Sequence, residues 1–255
     1  MGFEALLGNE QLKENLSAAK RKGRMSHFYL LSGPRGSGKH TLAKLIAAAM
    51  LCAEPDAPCG VCRSCRKVLG GNHPDYITID DPSKKTVPVD LIREARADIF
   101  VRPNEGEKKI YLFPRAQDMG IPGQNALLKV LEEPPAYGVF LLLTDNPEKL
   151  LPTVRSRCVE LKLRALPDGL LRRTLRSEFP DADDDRIAAA IMRSGGYLGQ
   201  ARELLGGDGL SENAKKFAAA YAARDTFSLQ KILTPMEKWK RDALVPALQE
   251  WLELL

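Results

Sequence analysis

Three glycines set around a lysine constrain this chain more than any other feature. Gly33-Pro34-Arg35-Gly36-Ser37-Gly38-Lys39 follows the apolar run Phe28-Tyr29-Leu30-Leu31-Ser32 and opens the stretch Lys39 to Leu51, with apolar residues at 42, 45, 46 and 49. A short apolar run, a glycine loop and a helical period read as strand, loop and helix, the context that gives a phosphate-loop pattern physical meaning. Gly33, Gly36 and Gly38 let backbone N–H groups face phosphate oxygens, while the helix N-terminus and Lys39 add positive potential. The next position should carry the hydroxyl that binds Mg²⁺, yet it is His40, and Thr41 follows on another side of the helix. Two readings stay open here: a loop that still holds nucleotide or phosphate through Gly33, Gly36, Gly38, Lys39 and Thr41, and a vestigial loop that caps the helix.

Further strands are expected at 76–79, 110–113, 139–143 and 158–163, with helical periodicity at 88–99 and 122–133. Strands alternating with helices predict an α/β fold with a parallel five-stranded sheet covered on both faces. After about residue 165 the strand signal stops. The rest reads as helices separated by Pro167, Pro180, Gly195-Gly196, Gly206-Gly207 and Pro235. The domains are therefore placed at 1–164 for the α/β unit, 165–207 for a small helical lid, and 208–255 for a helical segment too short to close its own core.

The second half of an ATPase site is an apolar strand ending in an acidic pair that holds metal-bound water and polarises the attacking one. The strand is present as Ile110-Tyr111-Leu112-Phe113, but Pro114 and Arg115 follow, and Asp118 is too far along to replace the pair. Without those carboxylates no meaningful ATPase activity is expected.

Cys52, Cys59, Cys62 and Cys65 have the spacing C-x6-C-x2-C-x2-C. Four soft thiolates so close together suit a tetrahedral structural Zn²⁺ site with no position left for chemistry. An iron-sulfur cluster and four unrelated reduced thiols are the alternatives. The 255 residues include 38 Lys and Arg against 33 Asp and Glu, a net charge of +5 that is compatible with nucleic acid but far below a dedicated DNA-binding domain. No apolar run of about 18 residues and no basic-then-apolar leader appears after Met1, so a cytoplasmic protein without a membrane partner is expected.

The phosphate loop, the four cysteines after its helix, His73-Pro74-Asp75, the run Asn125-Ala126-Leu127-Leu128-Lys129-Val130-Leu131-Glu132-Glu133-Pro134-Pro135 and Ser156-Arg157-Cys158 stand in one order. Together, over about residues 3–207, they resemble the clamp-loader subunits of bacterial DNA polymerase III, which are AAA+ proteins. In that family the motor subunits, gamma and tau, carry intact catalytic motifs, whereas delta-prime is similar in fold and typically lacks them. This chain departs from the motor pattern at His40, Pro114 and Arg115. It departs again at Gly199, within Gly196-Tyr197-Leu198-Gly199-Gln200-Ala201, where motors put a phosphate-sensing arginine.

The resemblance is therefore to delta-prime. It implies a scaffold in a five-subunit ATP-driven ring with gamma/tau and delta, which opens the sliding clamp and places it on primed DNA. It also implies that Arg157 reaches the ATP site of the adjacent motor subunit as an arginine finger; the alternative is an ordinary salt bridge. Family members continue into a helical collar, so 208–255 is expected to be the start of a truncated one. A working motor ATPase and a zinc-containing nucleic-acid-binding protein are the rival readings. The first lacks its acidic pair, and the second has only Arg63, Arg66 and Lys67 around the cysteines. His27, His73 and Cys158 are read as structural, Glu132-Glu133 as part of a subunit contact, and the basic residues at 20–24 as a solvated face, with DNA contact the other reading.

Overall fold

The computed structural model describes residues 2–206 and 212–239, together with positions 244, 247, 248 and 251. The expected division at 207/208 and the end of the last segment lie outside the described residues. In chain order the elements are α1 (Glu10–Arg21), β1 (Phe28–Ser32), α2 (Lys39–Leu51), α3 (Arg63–Leu69), β2 (Tyr76–Thr78), α4 (Val89–Asp98), β3 (Lys109–Phe113), α5 (Ile121–Glu132), β4 (Gly138–Thr144), α6 (Pro152–Arg155) and β5 (Val159–Lys162). Then come α7 (Asp168–Glu178), α8 (Asp184–Arg193), α9 (Leu198–Gly206), α10 (Glu212–Ala222) and α11 (Thr226–Leu233). The five strands form one sheet in the order β2-β3-β4-β1-β5, every pair parallel. The expected fold class is borne out.

Period-two alternation explains why the three central strands read as continuous apolar runs. Tyr29, Leu31, Ile110, Leu112, Leu141 and Leu143 point to the face covered by α2, whereas Phe28, Leu30, Tyr111, Phe113, Phe140 and Leu142 join Ile92, Ile99 and Leu127 from α4 and α5. On the second face Phe140 stacks on Phe28, Tyr111 and Phe113, with ring centroids at 5.1, 5.3 and 6.0 Å. Helix α2 is buried more completely than its apolar positions 42, 45, 46 and 49 suggest, because Ala43, Ala47 and Ala48 are inside as well. Its small side chains let α1, α3 and the sheet approach from several sides at once.

Leu171, Leu175, Ile187, Ile191, Ala201 and Leu205 give α7, α8 and α9 a core of their own. In the last segment Phe217 stacks on Trp251 at 4.2 Å. Pro235, expected as a helix separator, sits in the short 3-10 turn Thr234–Lys238 after α11.

One buried carboxylate ties the edge of the sheet together. Asp75, fully buried, accepts from the backbone N–H groups of Asn104, Glu105 and Gly106 at 2.6, 2.8 and 2.8 Å and from Asn104 Nδ2 at 3.1 Å. Burial alone would raise its pKa, but these donors outweigh burial and hold it below the usual carboxylate range. His73 Nδ1 accepts from the Asp75 N–H, while the buried Nε2 has no partner.

Replacing Asp75 by Asn turns acceptor positions into donors facing donors, so Asp75→Asn should cost about 2–4 kcal/mol in denaturant unfolding near neutral pH. Because the folded pKa lies below the unfolded one, this contribution is complete above the ordinary carboxylate range and is lost as pH falls through the folded value. The gap between wild type and variant should therefore narrow in acid, and a pH-independent gap would contradict the assignment.

Candidate functional site

Strand register brings the phosphate loop together with a residue the sequence reading passed over. Ser32 of β1 stands opposite Thr144 of β4, so Gly33 and Asp145 leave the sheet side by side, with the Gly33 N–H donating to Thr144 O at 3.2 Å. Lys39 is buried. Its ammonium donates to Gly33 O at 2.5 Å and Pro34 O at 2.8 Å and pairs with Asp145 Oδ1 at 2.7 Å, while Asp145 stays half exposed. The loop thus closes on its own lysine, and a carboxylate stands against the charge meant for phosphate. Partial burial first, then the Lys39 and Lys44 charges, lower the pKa of His40. An imidazole whose charged form is disfavoured thus stands at position 40, directly after the loop lysine.

The end of β3 is committed to structure. Arg115 Nη2 and Nε grip Asp80 at 2.6 and 3.1 Å, Nη2 also donates to Asp81 O at 3.0 Å, and Nη1 reaches Lys84 O at 3.2 Å and Asp118 Oδ2 at 3.7 Å. The guanidinium pins segment 80–85 across the strand end, and both nearby acids answer to it.

Helix α9 meets the loop through two glycines. The Gly199 N–H, near the start of α9, donates to Gly36 O at 2.9 Å, Gln200 Nε2 donates to Arg35 O at 2.9 Å, and Arg35 pairs with Glu203 at 3.0 Å. A β-carbon on Gly199 would lie 2.5 Å from Gly36 Cα, and one on Gly36 would lie 2.5 Å from Gln200 N. Gly36 also has φ +76°, in the region that favours glycine. Beside this contact lies a cleft of about 270 Å³, lined by Gly38, Lys39, His40, Thr41, Leu6 and Tyr197 among others. That is slightly below the roughly 300–1,000 Å³ of ordinary small-molecule sites. Arg202 also lines it, but Glu178 holds its guanidinium by two bonds, 2.7 and 2.6 Å.

The sulfurs of Cys52, Cys59, Cys62 and Cys65 lie within 4.8 Å of one another and could hold a metal ion. The Cys62 N–H donates to Cys59 Sγ at 3.3 Å and the Cys65 N–H to Cys62 Sγ at 3.4 Å. The Cys62 and Val61 N–H groups pull the Cys59 thiol down to about 6, whereas burial pushes Cys65 up to about 12. Four thiolates this close would need a cation among them. Lys20, expected on a solvated face, instead donates to Cys52 O at 3.1 Å.

Arg157 lies between α6 and the start of β5, at the end of the parallel sheet opposite the phosphate loop. Its Nη2 donates to Glu132 Oε1 at 2.8 Å and its Nη1 to Thr153 O at 3.0 Å. Neighbouring Cys158 is pushed up to about 12 by burial and has no use as a nucleophile. Asp145, Arg202 and Tyr197 were missed by sequence reasoning. A polar residue directly after the apolar run 138–144 was a signal for Asp145, but only the strand order makes it a neighbour of Gly33.

Residues 8–167 match the family model described as DNA polymerase III, delta subunit. The gamma/tau subunit of DNA polymerase III from Mycobacterium tuberculosis is 38% identical over 202 residues, which cover 76% of this chain and 34% of that protein. The chain thus spans about a third of such relatives. The delta' subunit from Pseudomonas aeruginosa is 31% identical over 229 residues, covering 89% of this chain and 69% of that protein. Thermotoga maritima RuvB, a Holliday junction branch migration motor, is similar in structure with a TM-score of 0.51 at 20% identity, over 90% of this chain and 69% of that one. That likeness speaks for the AAA+ fold alone.

Even a methyl group at the glycine contact has nowhere to go. Gly199→Ala should lower stability by about 1–3 kcal/mol and speed hydrogen exchange at the α9 N-terminus, with the sheet strands unaffected. Unchanged exchange there would mean that lid and loop are not held by this contact.

Proposed function

This chain belongs to the DNA polymerase III clamp-loader subunits of the AAA+ type, and on that premise we propose that it is a non-hydrolysing subunit of the delta-prime type. It scaffolds an ATP-driven ring with gamma/tau and delta subunits that loads the sliding clamp on primed DNA. Residues 1–164 form the AAA+ α/β domain, 165–207 the lid, and 208–255 contribute to the collar. The reading puts the protein with the replication machinery in the cytoplasm, and no helix among the described residues is long and apolar enough to cross a membrane.

The observation that carries the proposal is the end of β3. Metal-assisted phosphoryl transfer needs a carboxylate there to hold the ion's waters and another to orient the attacking one. Pro114 supplies none, and Arg115 brings a positive charge that consumes the carboxylates of Asp80 and Asp118. His40 in place of a hydroxyl and the glycine contact at Gly199 act in the same direction. Gly33, Gly36, Gly38, Lys39 and Thr41 then form a phosphate loop whose lysine answers to Asp145. The second reading, a gamma/tau-type motor, is favoured by the 38% identity to that subunit. Its chemistry would need carboxylates that this strand end does not offer.

Arg157 is the residue through which the chain acts on ATP, inserted into the site of the adjacent motor subunit. Its guanidinium can spread over the transferring phosphoryl oxygens.

Zinc is the ion we assign to the cysteines. Tetrahedral zinc with Zn–S near 2.3 Å sets the sulfurs about 3.8 Å apart, and the Cys59–Cys65 and Cys52–Cys62 pairs stand at 3.9 Å. All four thiolates are needed to hold the ion, so its contribution is a cross-link between the end of α2 and α3.

Three measurements test this reading. Elemental analysis of protein purified without chelator should give close to one zinc per chain, and no zinc with four reactive thiols would refute the assignment. The purified chain should hydrolyse ATP at background rate, unchanged by Lys39→Ala; turnover that vanishes in that variant would favour the motor reading. In a reconstituted ring with the other motor sites disabled, Arg157→Ala should lower turnover at the adjoining site by about a thousandfold with assembly intact, and Arg157→Lys should rescue poorly.

A further inference from the structure

The guanidinium of Arg157 is held at two of its nitrogens, each by a single bond. Asp80 takes both Nε and Nη2 of Arg115, and Glu178 takes both Nε and Nη2 of Arg202. Each of those carboxylates closes one edge of the guanidinium with two bonds, and Arg115 also donates from Nη1 to Lys84 O. Glu132 takes only Nη2 of Arg157, and the Thr153 carbonyl takes only Nη1. A guanidinium has five N–H donors, so the Nε–H and one hydrogen on each Nη remain for an incoming anion. The contact grips the side chain and leaves a face of it open.

The two ends of this grip are carried on one rigid unit. Gln124 in α5 is buried, donates to Met119 O at 3.0 Å and to Lys149 O at 3.2 Å, and accepts from the Leu151 N–H at 2.7 Å. That fixes the segment leading into α6, whose Val154 is fully buried. Arg157 then reaches back to Glu132, the last residue of the same α5. A carboxylate at a helix C-terminus is disfavoured by the helix dipole, and an exposed ion pair adds little to stability. Glu132 is thus badly placed for helix stability and well placed to orient Arg157.

We propose that Glu132 is a positioning residue for Arg157: it holds the long side chain in the orientation from which the open face of the guanidinium meets the phosphoryl group of the neighbouring subunit. The proposal rests on the reading of Arg157 as an arginine finger. A free arginine would lose side-chain rotamer freedom at every insertion, and one already held by Glu132 and Thr153 has lost much of it beforehand. The effect should appear in the rate of the chemical step and not in ATP affinity.

The test uses the reconstituted ring with only the adjoining motor site active, measuring kcat and KM for ATP. Glu132→Ala should lower kcat about tenfold, a loss of the size expected from freeing one long side chain, with KM within about twofold. Glu132→Gln, whose amide oxygen can still accept from Nη2, should retain most of the rate. In an Arg157→Ala background, Glu132→Ala should change nothing further, because it acts only through the arginine. On the unassembled chain, nitrogen-15 NMR of the arginine side chains should register faster guanidinium rotation at Arg157 in Glu132→Ala, which serves if that variant ring fails to assemble. Full or increased turnover in Glu132→Ala beside an inactive Arg157→Ala ring would overturn the positioning role alone, as would an equal loss in both backgrounds. An Arg157→Ala ring at full rate would remove the finger reading itself, and this proposal with it.

Discussion

A buried ammonium has to be paired, and the way Lys39 is paired organises everything around the phosphate loop. Its bonds to Gly33 O, Pro34 O and Asp145 keep the loop wrapped around its own charge. A loop held in that shape fixes the N-terminus of α2, and α2 is the helix on which one face of the sheet packs. It also fixes Gly36 where α9 can rest on it. Sheet, helix and lid therefore share one polar contact at their meeting point, supplied from two adjacent parallel strands.

The residues at positions 115 and 199 are set by structural contacts. Arg115 is among the most heavily bonded side chains of the protein and staples segment 80–85. Gly199 lets two backbones touch where a longer side chain would have to stand between them. Glu132 and Arg157, by contrast, lie before β4 and β5, at the opposite end of the parallel sheet from the phosphate loop, and are joined by a single hydrogen bond with part of each group in solvent. Within one fold, Arg115 is spent on segment 80–85, whereas Arg157 keeps donors free.

Much of this was legible in the sequence, for identifiable reasons. Strands β1, β3 and β4 announced themselves as apolar runs because both of their faces are covered, and the order of motifs identified the family. The four cysteines converge as their spacing implies, since short spacers allow little else. Pair partners were not legible. Nothing local says that Arg115 finds Asp80, or that Asp145 finds Lys39, because these meetings depend on the strand order β2-β3-β4-β1-β5. The role of Lys20 was hidden in the same way: its stem belongs to a basic run, while its acceptor, the carbonyl of Cys52, is 32 residues away. Arg157 was picked out by its motif, and its grip on Glu132 was not, since that requires α5 and α6 to pack.

The glycine pair at positions 36 and 199 bears on how such a chain can change over generations. A glycine codon can become an arginine codon in one step, so an arginine at position 199 looks easy to reach. Here the opposing backbone stands 2.5 Å from where its first carbon would be. Reaching that side chain requires α9 to lift off the loop first, which means undoing Gln200 and Glu203 as well. Each such intermediate is less stable than its parent. Two backbones packed this closely resist a larger residue at position 199 by packing alone.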